Sequence, residues 1–453
     1  MSFGTRFSCT IQPWGHSFLD SAPHRRPPLQ RQWSSSRTMA AYPSPPVAAA
    51  GHAPTAWNAL DRRRFDAGPR LGKGAYGEVR EYHDRLLASA VAIKRVPSPC
   101  ESTGEARRIL REIAILRAID NPFVVKLHSV FMSSALDDVY LVFEKLDGDL
   151  SHALKAARPH GGLGIDRARR LITQLLSALR HLHALGVIHR DIKPQNILLR
   201  SSDDQLKLCD FGLARALPSP TPPPPHSVLS PMPAPLQRSL STHVVTRWYR
   251  APELLLHAKV YDQGVDIFSA GCVFAEMLTG TPLLHGKDAD DALAINQLKA
   301  TVSLIGRPSN AAVDGMIAAS AMEDSSTPHP SHRDGIDRAK YRWQMLEALR
   351  GMRLHSVDSM DVRTRLRAQL PTRSGDDTIA LLEKMLRWST DSRITAASAL
   401  RNTYIAWAEA HAPHPSASAP PPRPPADWMD WEDRAHSIPL LRKMIRSHAQ
   451  SLP

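Results

Sequence analysis

The chain has 453 residues, with 57 Lys and Arg against 44 Asp and Glu, a net charge of +13, and 42% of its residues are hydrophobic. That is material for two or three domains, or one large two-lobed one, with a sizeable core. No apolar run reaches the roughly 18 residues that a membrane span needs; the best, residues 265–278, carries Asp266 and Glu276. The four cysteines, Cys9, Cys100, Cys209 and Cys272, are scattered without a CxxC pair, which argues against a disulfide scaffold or a zinc site and for a reducing compartment. The positive charge is spread along the chain, so neither nucleic acid nor a membrane is an expected partner.

Residues 1–60 hold five Arg and a single acid, Asp20, and are rich in Pro, Ser and Ala. They read as a disordered tail; the same Arg- and Ser-rich, acid-poor start also fits an organelle transit peptide. Short apolar runs bounded by Gly, Pro or polar residues then predict strands over 65–71, 79–83 and 91–96. Ile109, Ile113 and Leu116 at helical spacing predict a helix over 105–119, and 139–144 reads as another strand. Beyond Asp149 helical patterns dominate. Leu171, Leu175, Leu179 and Leu182 share one face of a helix over 167–185, and residues 265–278, apolar nearly all round, predict a buried helix. Three segments interrupt this plan. Residues 218–235 hold 9 Pro in 18 positions, 307–378 form a polar, basic insert, and 411–426 are a Pro-rich linker. A tail, 427–453, follows, with an acidic-aromatic patch at 427–433 and an amphipathic helix candidate at 438–447.

Leu71-Gly72-Lys73-Gly74-Ala75-Tyr76-Gly77-Glu78-Val79 places three glycines between two predicted strands. Such glycines let backbone N–H groups approach phosphates; dinucleotide folds use them too, but follow them with a helix where this chain has a strand. Val91-Ala92-Ile93-Lys94 sets an ammonium on a strand, and a buried lysine needs a partner, for which Glu112 is the candidate. Then come His189-Arg190-Asp191-Ile192-Lys193-Pro194-Gln195-Asn196 and Asp210-Phe211-Gly212. Phosphoryl transfer needs a carboxylate to orient the attacking hydroxyl, oxygen ligands for Mg²⁺ and a cation on the moving phosphate. Asp191, the pair Asn196 and Asp210, and Lys193 supply these in turn, and Ala251-Pro252-Glu253 closes the set.

With these motifs in order over 65–404, the chain resembles a eukaryotic protein kinase. The resemblance implies an α+β, bilobal protein-kinase fold over 65–406. The N-lobe, about 65–146, is small and β-rich; the C-lobe, about 147–406, is larger and helical; the activation segment, 210–253, spans 44 residues. It implies ATP and Mg²⁺ as cofactors. ATP would lie against Leu71 to Val79, Lys94 and Glu112, with adenine met by backbone groups of Glu144 and Leu146, just after Phe143. Thr246-Arg247-Trp248-Tyr249-Arg250-Ala251-Pro252-Glu253, residues 137–142 and the tail resemble MAP kinases, whereas Lys193-Pro194-Gln195-Asn196 and Phe143-Glu144 resemble cyclin-dependent kinases. The helix carrying Glu112 lacks the cyclin-binding sequence. Thr246 with Lys193, beside the catalytic Asp191, is the serine/threonine pattern. The reading is therefore a MAP-kinase-like serine/threonine kinase, with a cyclin-dependent-like kinase as one alternative. A pseudokinase or docking scaffold is the other, although Lys94, Asp191 and Asp210 are all present.

The resemblance carries further expectations. Val245 and Arg250 would shape the pocket for the residue after the phosphoacceptor, implying protein substrates with Ser/Thr-Pro sites. An upstream activating kinase is implied, yet the Thr-x-Tyr of MAP kinases is here Ser241-Thr242-His243, without the tyrosine. Ser241 stands in the activating register and Thr242 competes with it; Arg108, Arg111, Arg190 and Arg215 would hold the phosphate. Asp427 and Asp430 resemble part of an acidic docking patch for basic-hydrophobic peptides. Phe268 replaces a tryptophan of the family, a packing change. Cys209, next to Asp210, reads as a small buried hydrophobe rather than a reactive thiol. The expected location is cytoplasm, nucleus or both.

Overall fold

The computed structural model describes residues 57, 60, 63–74, 77–133, 137–217, 247–256, 261–285, 294–309, 313, 346, 347, 349, 351, 361–406, 429, 431 and 437–450. The expected small lobe is an antiparallel five-stranded sheet of β1 (Phe65–Gly74), β2 (Gly77–Asp84), β3 (Ser89–Val96), β4 (Leu127–Met132) and β5 (Val139–Glu144), in the order β1-β2-β3-β5-β4. Helix α1 (Thr103–Ala118) starts at Ser102, whose hydroxyl accepts from the Glu105 amide, a cap that satisfies one of the orphan N–H groups of the first turn. Its Ile109, Leu110 and Ile113 pack with Val130, Val139 and Leu141 of the sheet. β4 was not foreseen: only Val130 and Ser129 of its six residues are buried, so it lacks a clear alternating pattern.

Below the sheet, the short strand β6 (Gly148–Asp149) precedes α2 (Leu150–Ala157) and α3 (Ile165–Ala184), which lead to the short strands β7 (Val187–Ile188), β8 (Ile197–Arg200), β9 (Gln205–Leu208) and β10 (Arg215–Ala216). β6, β8 and β9 form one small sheet, and β7 pairs with β10. Strands of two to four residues give no periodicity to read. α4 (Pro252–Leu255), α5 (Gly264–Thr279), α6 (Ala294–Ile305), α7 (Val362–Gln369), α8 (Asp376–Met385) and α9 (Ala396–Leu400) complete the large lobe. α5 is its axis: every residue from Val265 to Leu278 is buried, as its all-round apolar pattern requires. Phe268 lies there wholly buried, with the Arg393 guanidinium 5.1 Å from its ring centroid.

Three boundaries differ from the sequence reading. Ordered packing starts ahead of Phe65, because Leu60 is buried against the sheet and Trp57 covers it, although both fall in the segment read as tail. The stretch 307–378 is not all insert: α7 and the start of α8 lie in it, and Leu366 and Leu370 join the main core. The helix expected at 438–447 runs as α10 (Ile438–Gln450) and packs on the small lobe. Its Leu441 and Ile445 are fully buried beside Ile109 and Ile113 of α1, and Arg442 pairs with Asp137 at 2.7 Å.

Candidate active site

Four elements meet around Lys94. β3 pairs Lys94 with Val79 of β2 on one side and with Leu141 of β5 on the other, which fixes its height above the cleft. Lys94 Nζ lies 2.6 Å from Glu112 Oε1 and 3.5 Å from Asp210 Oδ1. Burial alone would depress the ammonium, but Glu112 and Asp210 outweigh it and its pKa is raised. Glu112 itself is buried on α1, one turn before Leu116, which reaches the main core together with Phe211. The sequence pairing of Lys94 with Glu112 is thus realised in the fold.

The glycine-rich turn forms the hairpin of β1 and β2, with Lys73 opposite Glu78 and Gly72 opposite Val79. Gly77 has φ +139°, and a Cβ there would run into the carbonyl oxygen of Arg95, so only glycine fits. Leu71 is exposed at the edge of β1; Ala75 and Tyr76 lie outside the described residues. At the back of the cleft, Glu144 ends β5. Its side chain pairs with Lys207 at 2.8 Å and accepts from the Lys126 amide at 2.7 Å. It is thereby turned away, leaving its backbone and that of the buried Leu146 as the adenine-facing groups of the expectation.

The catalytic loop is built on one buried carboxylate. Asp266 of α5 accepts from the His189 amide at 2.9 Å, the Arg190 amide at 2.8 Å and His183 Nε2 at 3.0 Å. Burial would raise its pKa, but these donors hold it below the usual carboxylate value. They also hold Arg190 at φ +69°, a left-handed conformation that costs energy and survives only where the surroundings impose it. In the sequence Asp266 stands out only as a charge that breaks an apolar run. The signal was there, since a carboxylate on an otherwise apolar buried helix must have partners.

Asp191 Oδ2 accepts from Lys193 Nζ at 2.7 Å and from Asn196 Nδ2 at 2.8 Å, and Asn196 Nδ2 also meets the Asp191 carbonyl at 2.8 Å. Among the described residues Asp191 Oδ1 has no partner, nor does Asn196 Oδ1. Asn196 therefore turns its donor inward and presents an oxygen, the ligand atom that a hard cation takes. Asp210, at φ +62°, presents the second. Burial would raise its pKa, but Lys94 first, then Arg108, His189 and Lys193, bring it down to about 2, so it is an ionised ligand at any working pH. The residues present thus fit Mg²⁺, with Asn196 and Asp210 as the protein ligands. His189 Nε2 lies 3.0 Å from the Cys209 carbonyl and its ring 4.9 Å from that of Phe211, clamping the Asp210-Phe211-Gly212 turn. Burial, and then the charge of Asp210, push the Cys209 thiol upward, which makes it inert.

Three of the four arginines expected to hold the phosphate reach carbonyls of residues 212–214. Arg108 Nε donates to the Gly212 carbonyl at 3.1 Å, Arg190 to the Leu213 carbonyl at 3.5 Å and Arg215 to the Ala214 carbonyl at 3.2 Å. Arg111 is buried on α1. Arg190 Nε is also buried, without a hydrogen-bond partner among the described residues. Ser241, Thr242, Val245 and Thr246 lie outside the described residues, as do Asp427 and Asp430 of the tail. Arg250 closes a turn onto the Arg247 carbonyl at 3.0 Å. The segment around it is anchored by Ser269 Oγ on the Tyr249 carbonyl at 2.7 Å and by the Tyr249 hydroxyl on Glu276 at 2.6 Å.

A lysine paired with a helical glutamate under a glycine hairpin, facing a catalytic aspartate and two oxygen ligands, is phosphotransferase geometry. The profile of the protein kinase domain matches residues 65–405, and the chain belongs to the protein kinase family. It is similar to mitogen-activated protein kinase HOG1 of Beauveria bassiana, 35% identical over 74% of this chain and 77% of that one. It is also similar to mitogen-activated protein kinase 15 of Xenopus laevis, 33% identical over 76% of this chain and 50% of that one, and to mitogen-activated protein kinase 5 of Arabidopsis thaliana, 36% identical over 55% and 61%. Within the family it is therefore a MAP-kinase-like serine/threonine kinase, which uses ATP and Mg²⁺ and acts on proteins.

Proposed function

We propose that the chain is a proline-directed kinase switched by phosphorylation of its activation segment, with the residues above in the roles expected of them. The observation that carries the catalytic part is Asp191 Oδ1, without a partner among the described residues, beside an Oδ2 held by Lys193 and Asn196. ATP with Mg²⁺ supplies the phosphoryl group. Lys94 holds the phosphates, and Asp191 Oδ1 accepts the hydrogen of the substrate hydroxyl and aims its oxygen. Lys193 neutralises charge on the transferring group from its place beside Asp191.

Proline selection rests on Val245 and Arg250. A Val245 carbonyl turned toward Arg250 leaves no acceptor for the N–H of the residue after the phosphoacceptor, and an unpaired buried N–H costs about 1–3 kcal/mol. Proline has no N–H to strand. Ser-Pro peptides should be phosphorylated about tenfold faster than matched Ser-Ala peptides, 1.4 kcal/mol being a factor of ten; equal kcat/KM for the two would refute the selection.

Activation draws support from the convergence of Arg108, Arg190 and Arg215 on residues 212–214, and from the buried Arg190 Nε, which has no hydrogen-bond partner among the described residues. A phosphate on Ser241 would join these elements by charge-assisted bonds. Ser241→Ala should abolish activation in cells while Thr242→Ala spares it; the reverse result would move the site to Thr242. For docking, Met429 is buried and Trp431 packs against the core beneath α10, and the acidic residues around them would meet a basic-hydrophobic peptide. The double variant Asp427→Asn, Asp430→Asn should weaken such a peptide more at low salt than at high salt; binding unchanged at low salt would limit this segment to packing.

A further inference from the structure

The catalytic reading leaves unused an aromatic cluster on the outer face of the small sheet. Leu60 is buried there with Phe65, Tyr82 and Tyr140, and Trp57 packs over them. The Trp57 indole lies 5.8 Å from the Tyr82 ring and 5.9 Å from the Tyr140 ring. Its Nε1 donates to Glu78 Oε2 at 3.4 Å, while Arg80 Nε donates to Glu78 Oε1 at 2.8 Å. The Arg80 guanidinium stands 5.0 Å from the Trp57 ring centroid, within cation–π range. Both oxygens of Glu78 are thus held from outside the cleft, and Glu78 directly follows Gly77.

The glycine hairpin needs such a hold. Beyond Phe65, no residue of β1 is buried, and its ladder with β2 shifts register twice, between Ala67 and Arg70 and between Arg70 and Gly72. Neither burial nor unbroken pairing fixes its height. Side chains alternate along β2, so Glu78, Arg80 and Tyr82 share the outer face while Val79 takes the cleft face.

We propose that Trp57 is a positioning residue for ATP: through Glu78 and Arg80 it sets the height of the β1–β2 hairpin, and so of the glycine N–H groups that meet the phosphates. The inference rests on the assignment of ATP to that hairpin. It places a specific determinant of nucleotide affinity in a segment ahead of the catalytic domain.

The test is steady-state kinetics of the full chain with ATP varied at saturating peptide. Trp57→Ala should raise KM for ATP about fivefold and leave kcat and the peptide KM within about twofold, as expected for loss of a contact equally present in ground and transition states. Trp57→Phe, which keeps the ring but loses the N–H, should fall between. Arg80→Met, which leaves Trp57 on its aromatic partners, should shift KM for ATP in the same direction and serves if Trp57→Ala does not fold. A lower melting temperature with unchanged KM for ATP would overturn the proposal, since packing alone would then account for Trp57. Lys94→Met, run in parallel, separates the two levels: turnover retained there would fault the ATP site itself. A dead Lys94→Met beside an unshifted Trp57→Ala would remove only the role of Trp57.

Discussion

Replacing Asp191 by Ala is expected to lower kcat by about 10²–10⁴, the range that a positioned acid or base contributes, while the affinity for ATP changes by less than about twofold. Among the described residues, Asp191 touches the groups assigned to the nucleotide only through Lys193 and through Asn196, whose Nδ2 would keep the 2.8 Å bond to the backbone carbonyl of residue 191. Lys193 would lose its one partner among the described residues, at 2.7 Å, and add an uncompensated cation, so binding of an anionic nucleotide should not suffer. Turnover and nucleotide titration on the same preparation decide it. Unchanged turnover would remove Asp191 from the chemistry and turn its contacts into loop scaffolding.

The second large effect is on stability. Arg393 Nη1 and Nη2 meet the two oxygens of Glu253 at 2.5 and 2.8 Å, and the guanidinium also donates to the carbonyls of Gly264, Arg387 and Trp388. Its side chain is fully buried and that of Glu253 nearly so. Removing one partner of such a pair strands the other charge without water, at a cost of about 3–5 kcal/mol. Arg393→Met should therefore lower the urea midpoint strongly and leave the slope unchanged. Because Glu253 ends the activation segment, peptide KM should rise as well. An unaltered midpoint would mean that the four carbonyl and carboxylate partners find water, and that the site is less closed than its burial implies.

The catalytic set was legible from sequence because its chemistry demands particular residue types at particular spacings: Lys94, Asp191, Asn196 and Asp210 could be assigned one by one. The supports were harder. Asp266 bonds residues 76 and 77 positions away, and Arg393 reaches Glu253 across 140; no local pattern encodes such distances. Trp57 and Leu60 were hidden by composition, since two apolar residues in a Pro-, Ser- and Arg-rich stretch carry no period. The helix α10 was legible as an amphipathic helix, but not its destination, because an apolar stripe states that it will be covered and not by what.

That destination has a consequence in the order of synthesis. α1 carries Glu112, yet its outer face is closed by α10, and the contact between Arg117 and His448 spans 331 positions. At roughly 5–20 residues per second, a ribosome needs about 17–66 s to travel from one to the other. Throughout that interval Ile109 and Ile113 have no lid, and the small lobe, although made first, cannot finish its core. The kinase therefore closes the outer face of its nucleotide-binding half only after the whole peptide-binding half has emerged.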